Sequence, residues 1–172
     1  YDREIDFHDI FDVQDEITLA VVDALKLKLP RAETAAALKH ATENVTAHEL
    51  YLKGRFHLYR MTGSGIEAGI SYLEKAMEAD PDYAPAQVGL AHAYRMFSLS
   101  LEMPPGEAAP KAQAAARKAV EMGGNLAEAH AVMGFSLFLY DWDWHASEEH
   151  CKRALDLDPN SADAHWAYAH LL

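Results

Sequence analysis

The sequence has few of the residues from which covalent or metal frameworks are built. One cysteine among 172 residues excludes an internal disulfide and a zinc site made of several thiolates. Basic residues are also scarce: 15 Lys and Arg stand against 27 Asp and Glu, which gives a formal charge of −12. Because phosphate binding needs clustered positive charge, we expect no nucleic-acid partner. In the second half of the chain, the longest stretch without Asp, Glu, Lys or Arg has 12 residues (129–140). A membrane span needs about 18, so no membrane contact is expected.

Motifs for catalysis or metal binding are missing too. No two of the ten histidines lie three or four residues apart, and there is no His-Glu-x-x-His motif. Asp141, His145 and Glu149 are spaced by four, but Asp141 is predicted to lie in a turn, which breaks the row. No Ser-His-Asp order, phosphate-binding glycine loop or carboxylate pair stands out. We therefore expect no enzymatic activity, no cofactor and no native metal in these residues.

Small residues recur at a fixed spacing. Three pairs are each 22 residues apart: Gly69 with Ala91, Ala112 with Gly134, and Ser147 with Ala169. The intervening gaps vary, with 15 residues from Gly54 to Gly69, 21 from Ala91 to Ala112, and 13 from Gly134 to Ser147. A two-helix unit behaves in this way, since one connection is held by packing between successive units and the other is a turn that tolerates insertion.

This pattern resembles the tetratricopeptide repeat (TPR), a helix–turn–helix unit of about 34 residues. The segments that match best are 72–81, 90–94 and 153–159. The resemblance implies an all-α, right-handed solenoid of antiparallel helix pairs, with about three repeats and the first helix of a fourth over residues 46–172. All three turns are longer than usual, and Gly123-Gly124 replaces the usual proline. We expect those glycines to end their helix with a left-handed cap.

Residues 1–45 form a predicted acidic segment and linker helix before the array. Seven acids and one base occur in residues 1–16, and apolar residues then follow helical spacing. The pattern predicts a helix from about Asp12 to about Lys28, stopped before Pro30. An alanine-rich stretch, 31–41, could form a short second helix.

Several segments are similar to the region that follows a TolB-like domain in bacterial signalling proteins. They include Tyr1-Asp2-Arg3-Glu4, residues 10–17, residues 49–55 and residues 140–144. In those proteins an adenylate or guanylate cyclase, a Ser/Thr kinase or a winged-helix domain lies further towards the N-terminus. The resemblance implies a non-enzymatic interaction or regulatory module cut from a longer chain. The alternative is a self-association module that sets the geometry of such an effector.

The resemblance also implies a concave groove lined by the first helix of each repeat. Its inward residues form an aromatic and apolar strip with two arginines, which is typical of a binding surface for a protein or peptide. The groove residues are His48, Tyr51, Arg55, Tyr59, Val88, His92, Arg95, Phe135, Phe138, Trp166 and His170. Some TPR proteins clamp chaperone C-termini with Lys, Asn and Arg. Tyr51, Arg55, Val88 and His92 stand at the matching positions here, which disfavours that role. In another interpretation, the 12–28 helix covers part of the strip.

Three further features carry expectations. Cys151 occupies a position that usually holds a large apolar residue, so a buried thiol is expected. Trp142 and Trp144 lie in a turn between acids, where packing is the simpler interpretation and ligand contact the alternative. The last helix would expose Tyr168, Leu171 and Leu172, so a homodimer through this C-terminal helix is expected.

Overall fold

The computed structural model describes residues 10–24, 41–100 and 103–172. Within these ranges every regular element is helical and no strand occurs, which confirms the predicted all-α class. The helices are α1 (Ile10–Ala24), α2 (Val45–Leu58), α3 (Gly63–Ala79), α4 (Ala84–Ser100), α5 (Pro105–Met122), α6 (Ala127–Ser136), α7 (Trp144–Leu157) and α8 (Ala162–Leu171), and a π-helical turn (Leu137–Asp141) continues α6. None of the helices described is both long and apolar enough to cross a membrane.

The chain divides into two compact units, Tyr1–Val45 and Thr46–Leu172. The first unit contains α1, which begins two residues before the predicted Asp12. Residues 25–28 of that predicted helix lie outside the described residues, as does nearly all of the predicted short helix at 31–41. The second unit contains α2 to α8 and is the part that matters for the candidate site.

Side-chain caps begin three helices of the second unit, α3, α7 and α8. The Thr62 hydroxyl accepts a hydrogen bond from the Gly65 amide at 3.1 Å, and the Asp143 carboxylate accepts one from Ala146 at 3.0 Å. Ser161 caps α8 in the same way. Such caps satisfy amide groups that have no partner within the helix and typically stabilise it by about 1 kcal/mol. Pro105 begins α5, where a missing N–H costs nothing.

The ends of α3 and α7 fit the prediction that a following proline stops the helix, whereas the end of α5 differs from its prediction. Asp80 and Asp158, each before a proline, are extended with φ near −140° and end α3 and α7. The predicted left-handed cap at Gly123-Gly124 is wrong, because neither glycine has a positive φ. A side chain at Gly123 would instead place its Cβ 3.0 Å from the Ala84 Cβ and 3.2 Å from the Leu126 Cβ. Close packing therefore explains this glycine.

The recurring small residues are where the paired helices touch. A Cβ at Gly54 would lie 3.2 Å from the Gly69 carbonyl oxygen, and a Cβ at Gly69 would lie 3.1 Å from the Gly54 carbonyl oxygen. A Cβ at Gly134 would likewise lie 3.1 Å from the Ser147 carbonyl oxygen. The Ser147 hydroxyl also donates to the Gly134 carbonyl at 2.8 Å. The recurring small residues thus mark contacts between the two helices of a repeat, across the turns whose lengths vary.

Successive first helices, α4, α6 and α8, pack side by side, and the second helices α5 and α7 lie against them. The core between them is rich in alanine: Ala76, Ala119 and Ala154 are fully buried at matching positions of the second helices. Cys151 is also fully buried, as expected, and burial raises the pKa of its thiol to about 11. This arrangement places one face of the first helices along a common surface.

Candidate functional site: the groove

A cavity of about 390 Å³ opens between α2 and α4, with one wall completed by the first turns of α6 and α8. The wall is mostly apolar, and charged groups stand at its rim. It is lined by Tyr51, Arg55, Leu58, Tyr59, Met61, Pro85, Val88, Gly89, His92, Arg95, Met96, Leu126, Glu128 and Asp163. A volume of this size accommodates several side chains of a bound segment.

Arg55 stands exposed at one end of the cavity and is held by two tyrosines. Its guanidinium donates to the hydroxyls of Tyr51 and Tyr59 and lies 5.6 and 5.4 Å from their ring centroids. Burial raises the pKa of Tyr51, and the hydrogen bond from Arg55 to Tyr59 raises the pKa of Arg55. These shifts keep Tyr51 neutral and Arg55 charged. Arg55 therefore presents a fixed positive charge without a carboxylate to neutralise it in this cluster.

His92 and Arg95 lie deeper and have a different electrostatic setting. His92 Nε2 is 4.0 Å from an Asp163 carboxylate oxygen. Burial, reinforced by the charge of Arg95, lowers the pKa of His92 to about 4 despite Asp163, so the imidazole is neutral at pH 7. Burial also lowers the pKa of Arg95. The Arg95 guanidinium is 4.4 Å from the Trp166 ring centroid and 5.0 Å from the Phe135 ring centroid, so its faces are covered by aromatic rings.

An aromatic cluster continues from Arg95 towards the C-terminal helix. The rings of Phe135 and Trp166 are 4.5 Å apart, and those of Trp166 and His170 are 4.2 Å apart. Phe138 packs against Phe135 at 5.9 Å. Phe135 is buried, whereas Trp166 is 39% exposed, so the cluster presents its outer ring to solvent.

The predicted groove residues fall in three places. Six of them line the cavity: Tyr51, Arg55, Tyr59, Val88, His92 and Arg95. Four make up the adjoining aromatic cluster: Phe135, Phe138, Trp166 and His170. His48 instead has its Nδ1 3.1 Å from the Tyr83 hydroxyl, behind the cavity wall.

Eight lining residues are not among those eleven: Leu58, Met61, Pro85, Gly89, Met96, Leu126, Glu128 and Asp163. The repeat spacing contains a signal for three of them. Pro85 and Asp163 each lie six residues before a recurring small residue, Ala91 or Ala169, just as Glu128 lies six before Gly134. Met61 and Leu126 lie in turns, which the repeat spacing does not place.

Two histidines far apart in sequence meet between α6 and α7. His130 Nδ1 and His150 Nδ1 are 3.0 Å apart, and His130 Nε2 lies 3.1 Å from the Gly124 carbonyl oxygen. Since the carbonyl can only accept, His130 carries its proton on Nε2 and His150 donates from Nδ1. Burial lowers the pKa of His150, and protonation of His130 would lower it further. No group of three or more metal-ligating side chains forms in the part of the chain that the structure describes.

Solved structures of known proteins share this arrangement of helices. The first TPR domain of human RPAP3, determined by NMR, superposes with a TM-score of 0.59 at 20% identity, over 73% of this chain and 89% of that domain. The first TPR of Spaghetti (RPAP3), bound to the HSP90 peptide SRMEEVD, gives 0.57 at 21% identity, over 77% of this chain and 95% of its own. The chain has the TPR fold.

Sequence comparison adds one relative. No family model matches the chain. A candidate adenylate cyclase of Rhizobium meliloti strain 1021, adenylate cyclase 3, is 30% identical over 91 residues. The match covers 53% of this chain but only 15% of that protein, so the chain corresponds to a small part of the relative's length.

In the TPR fold the first helices of successive repeats line the concave surface, and the cavity lies on that surface.

Proposed function

We propose that this chain is a non-enzymatic protein-interaction module that binds a segment of a partner protein in its concave groove. The observation that carries the proposal is the 390 Å³ cavity with Arg55 fixed at its rim. Exposed apolar surface of this kind marks a binding site in most soluble proteins. Tyr, Arg and Met, which are among the residues enriched at protein interfaces, contribute two side chains each to its lining.

The lining indicates a partner segment with an apolar centre and an acidic flank. Val88, Met96 and Leu126 offer apolar contact, while Arg55 offers a planar, charged donor that suits a carboxylate. Arg95 is a poorer anchor because aromatic rings cover its faces. His92 is neutral and can act only as a hydrogen-bonding partner at pH 7. The acidic flank of the segment should therefore lie at the Arg55 end of the cavity, away from the carboxylates of Glu128 and Asp163 in the opposite wall.

The Spaghetti (RPAP3) structure supports the mode of binding, since that TPR holds the acidic peptide SRMEEVD. The chaperone clamp of Lys, Asn and Arg is absent from this chain. The corresponding positions hold two aromatic or apolar residues and a neutral histidine beside Arg55. We therefore propose a partner that is more apolar than that peptide and needs one carboxylate rather than several.

The proposal is tested by selecting peptides from a random 12-residue library displayed on phage, with the whole 172-residue chain as bait. We expect the selected sequences to combine an apolar residue with Asp or Glu, and to be lost when Arg55→Glu replaces the wild type. The matched control is Lys53→Glu, an equal charge change on α2 at a residue that pairs with Glu49 and does not line the cavity. Basic sequences, or equal selection by Arg55→Glu, would refute the groove as the site.

We also propose that the module belongs to a larger bacterial signalling protein. The support is the identity to part of the Rhizobium protein, together with the linker-like sequence of residues 1–45. In this proposal residues 1–45 connect the array, residues 46–172, to an effector. Limited proteolysis should then release a stable fragment that starts near Thr46. The coding sequence of the same gene that precedes residue 1 would identify the effector. An unrelated domain at that place would contradict the signalling context.

Self-association is the alternative function, favoured by the exposed residues of α8. Trp166 is 39% exposed and Leu172, which follows α8, is 89% exposed, so apolar surface is present on and beside this helix. Sedimentation equilibrium distinguishes the two functions. A dimer that is dissociated by the double substitution of Leu171→Glu and Leu172→Lys would support the alternative. A monomer at high concentration would exclude it.

A further inference from the structure

The turn between α6 and α7 holds a tryptophan in an unusual backbone conformation. The π-helical turn Leu137–Asp141 ends at Trp142, whose φ of 56° and ψ of 24° lie in the left-handed region. The amides of Trp142 and Asp143 both bond to the Leu137 carbonyl, which fixes the turn. Bulky residues rarely adopt this conformation, and glycine adopts it without strain. A tryptophan in this strained conformation points to a role for its side chain rather than for its backbone.

The indole of Trp142 is 70% exposed, and that of the neighbouring Trp144 is 52% exposed. Their ring centroids are 6.2 Å apart and their planes meet at 67°, so the two rings form an open corner. Trp144 is supported from behind by Phe138, edge to face at 5.4 Å. Packing alone, the simpler interpretation of the sequence, accounts for Trp144 but not for the exposure of Trp142.

Two carboxylates flank this Trp142–Trp144 corner. Asp141 accepts a hydrogen bond from the Gln113 side chain, and Asp143 accepts one from the Ala146 amide. Each of these bonds uses one oxygen, Oδ1, and fixes the carboxylate of a residue directly adjacent to Trp142 in the chain. Aromatic faces attract cations through their quadrupole, and fixed carboxylates add direct attraction.

We propose that the Trp142–Trp144 corner binds a lysine or arginine side chain of a partner protein. The charge complementarity of two aspartates with a cation, together with two indole faces, carries this assignment. An anionic lipid surface is disfavoured because the same aspartates would repel it. This site is independent of the groove, whose accessible cation Arg55 calls for the opposite charge. A partner could therefore be held at two points, or two partners could bind the array together.

The test uses two acetylated, amidated peptides, Gly-Ser-Lys-Leu-Arg-Lys-Ser-Gly and the same sequence with glutamate at the three basic positions. The indole N–H signals of the chain are followed by heteronuclear NMR. We expect the basic peptide to shift the Trp142 and Trp144 signals saturably, while Trp166, which packs on Arg95, serves as an internal control. The shifts should weaken with added salt.

Trp142→Gly should weaken binding by about 2–5-fold, the usual effect of one exposed cation–aromatic contact. Glycine fits the backbone, so the melting temperature should stay unchanged or rise. Asp141→Asn with Asp143→Asn should weaken binding further, because asparagine still caps α7 while the charge is gone. Phe56→Ala, which removes an exposed aromatic side chain on α2 that does not line the cavity, should have no effect. Equal shifts with the acidic peptide, no shift at millimolar basic peptide, or shifts caused by phosphatidylserine vesicles alone would overturn the proposal.

Discussion

Gly134→Ala should destabilise the chain although alanine is the better helix former. In an isolated helix the change gains about 1 kcal/mol. Here the new Cβ would lie 2.8 Å from the Cys151 Sγ and 3.1 Å from the Ser147 carbonyl oxygen. Overpacking of this kind costs about 1–3 kcal/mol, and pushing the helices apart also weakens the 2.8 Å bond from the Ser147 hydroxyl, which is worth about 1 kcal/mol. The expected net loss of unfolding free energy is about 1–3 kcal/mol.

Urea unfolding followed by circular dichroism measures this loss, and a matched glycine supplies the control. Gly106, in the first turn of α5, has no atom within 4 Å of its would-be Cβ. Gly106→Ala should therefore stabilise the chain by about 0.5 kcal/mol. Cys151→Ala removes the nearest clashing atom, so its combination with Gly134→Ala should cost less than the sum of the single changes. If Gly134→Ala is as stable as the wild type, the close approach of α6 and α7 is wrong.

Three further predictions concern His92, Cys151 and Ala91. The pKa of His92 is lowered from 6.5 to about 4 in the folded chain, so between these pH values the unfolded chain binds a proton and the folded chain does not. The free energy of unfolding should therefore be unaffected by His92 above pH 6.5 and should fall by about 3 kcal/mol as the pH drops to 4. His92→Gln should flatten this part of the pH profile measured by urea unfolding. An identical profile for the two proteins would contradict the assignment. Cys151, fully buried with a raised pKa, should react with iodoacetamide at pH 8 only after unfolding, so labelling of the native chain measured by mass spectrometry would refute its burial. Ala91→Leu should lower the urea midpoint through overpacking worth about 1–3 kcal/mol, since Ala91 is only 4% exposed, and an unchanged midpoint would contradict its place in the core.

The helical architecture could be predicted because its cause is periodic. Small residues recur where the two helices of a repeat touch, and the 22-residue spacing relates the contact residue of each second helix to that of the next first helix. The prolines after Asp80 and Asp158 end helices through a local clash that needs no tertiary information. Gly123 shows the limit of this reasoning, because its role depends on how close Ala84 lies, and that distance follows only from packing.

The sequence predicts the site residues that lie at repeating positions of the helices, but not the site residues that lie in the turns. Tyr51, Val88 and His92 stand at repeating positions of the first helices and line the cavity. Met61 and Leu126 come from turns whose lengths differ between repeats, so no periodicity locates them. The covering of Arg95 by aromatic rings also depends on side-chain packing across repeats, which made two arginines look equivalent in the sequence.

The central claim, that Arg55 reads an acidic residue of a bound segment, is tested most directly by a charge swap. The affinity of one library-selected peptide is measured by fluorescence anisotropy for the wild type and for Arg55→Glu, with the peptide carrying either its acidic residue or lysine at that position. The account predicts that Arg55→Glu loses the acidic peptide at least 10-fold, about 1.4 kcal/mol, and regains affinity for the lysine peptide. Equal affinity of both proteins for the acidic peptide, or a loss without recovery by lysine, would contradict it.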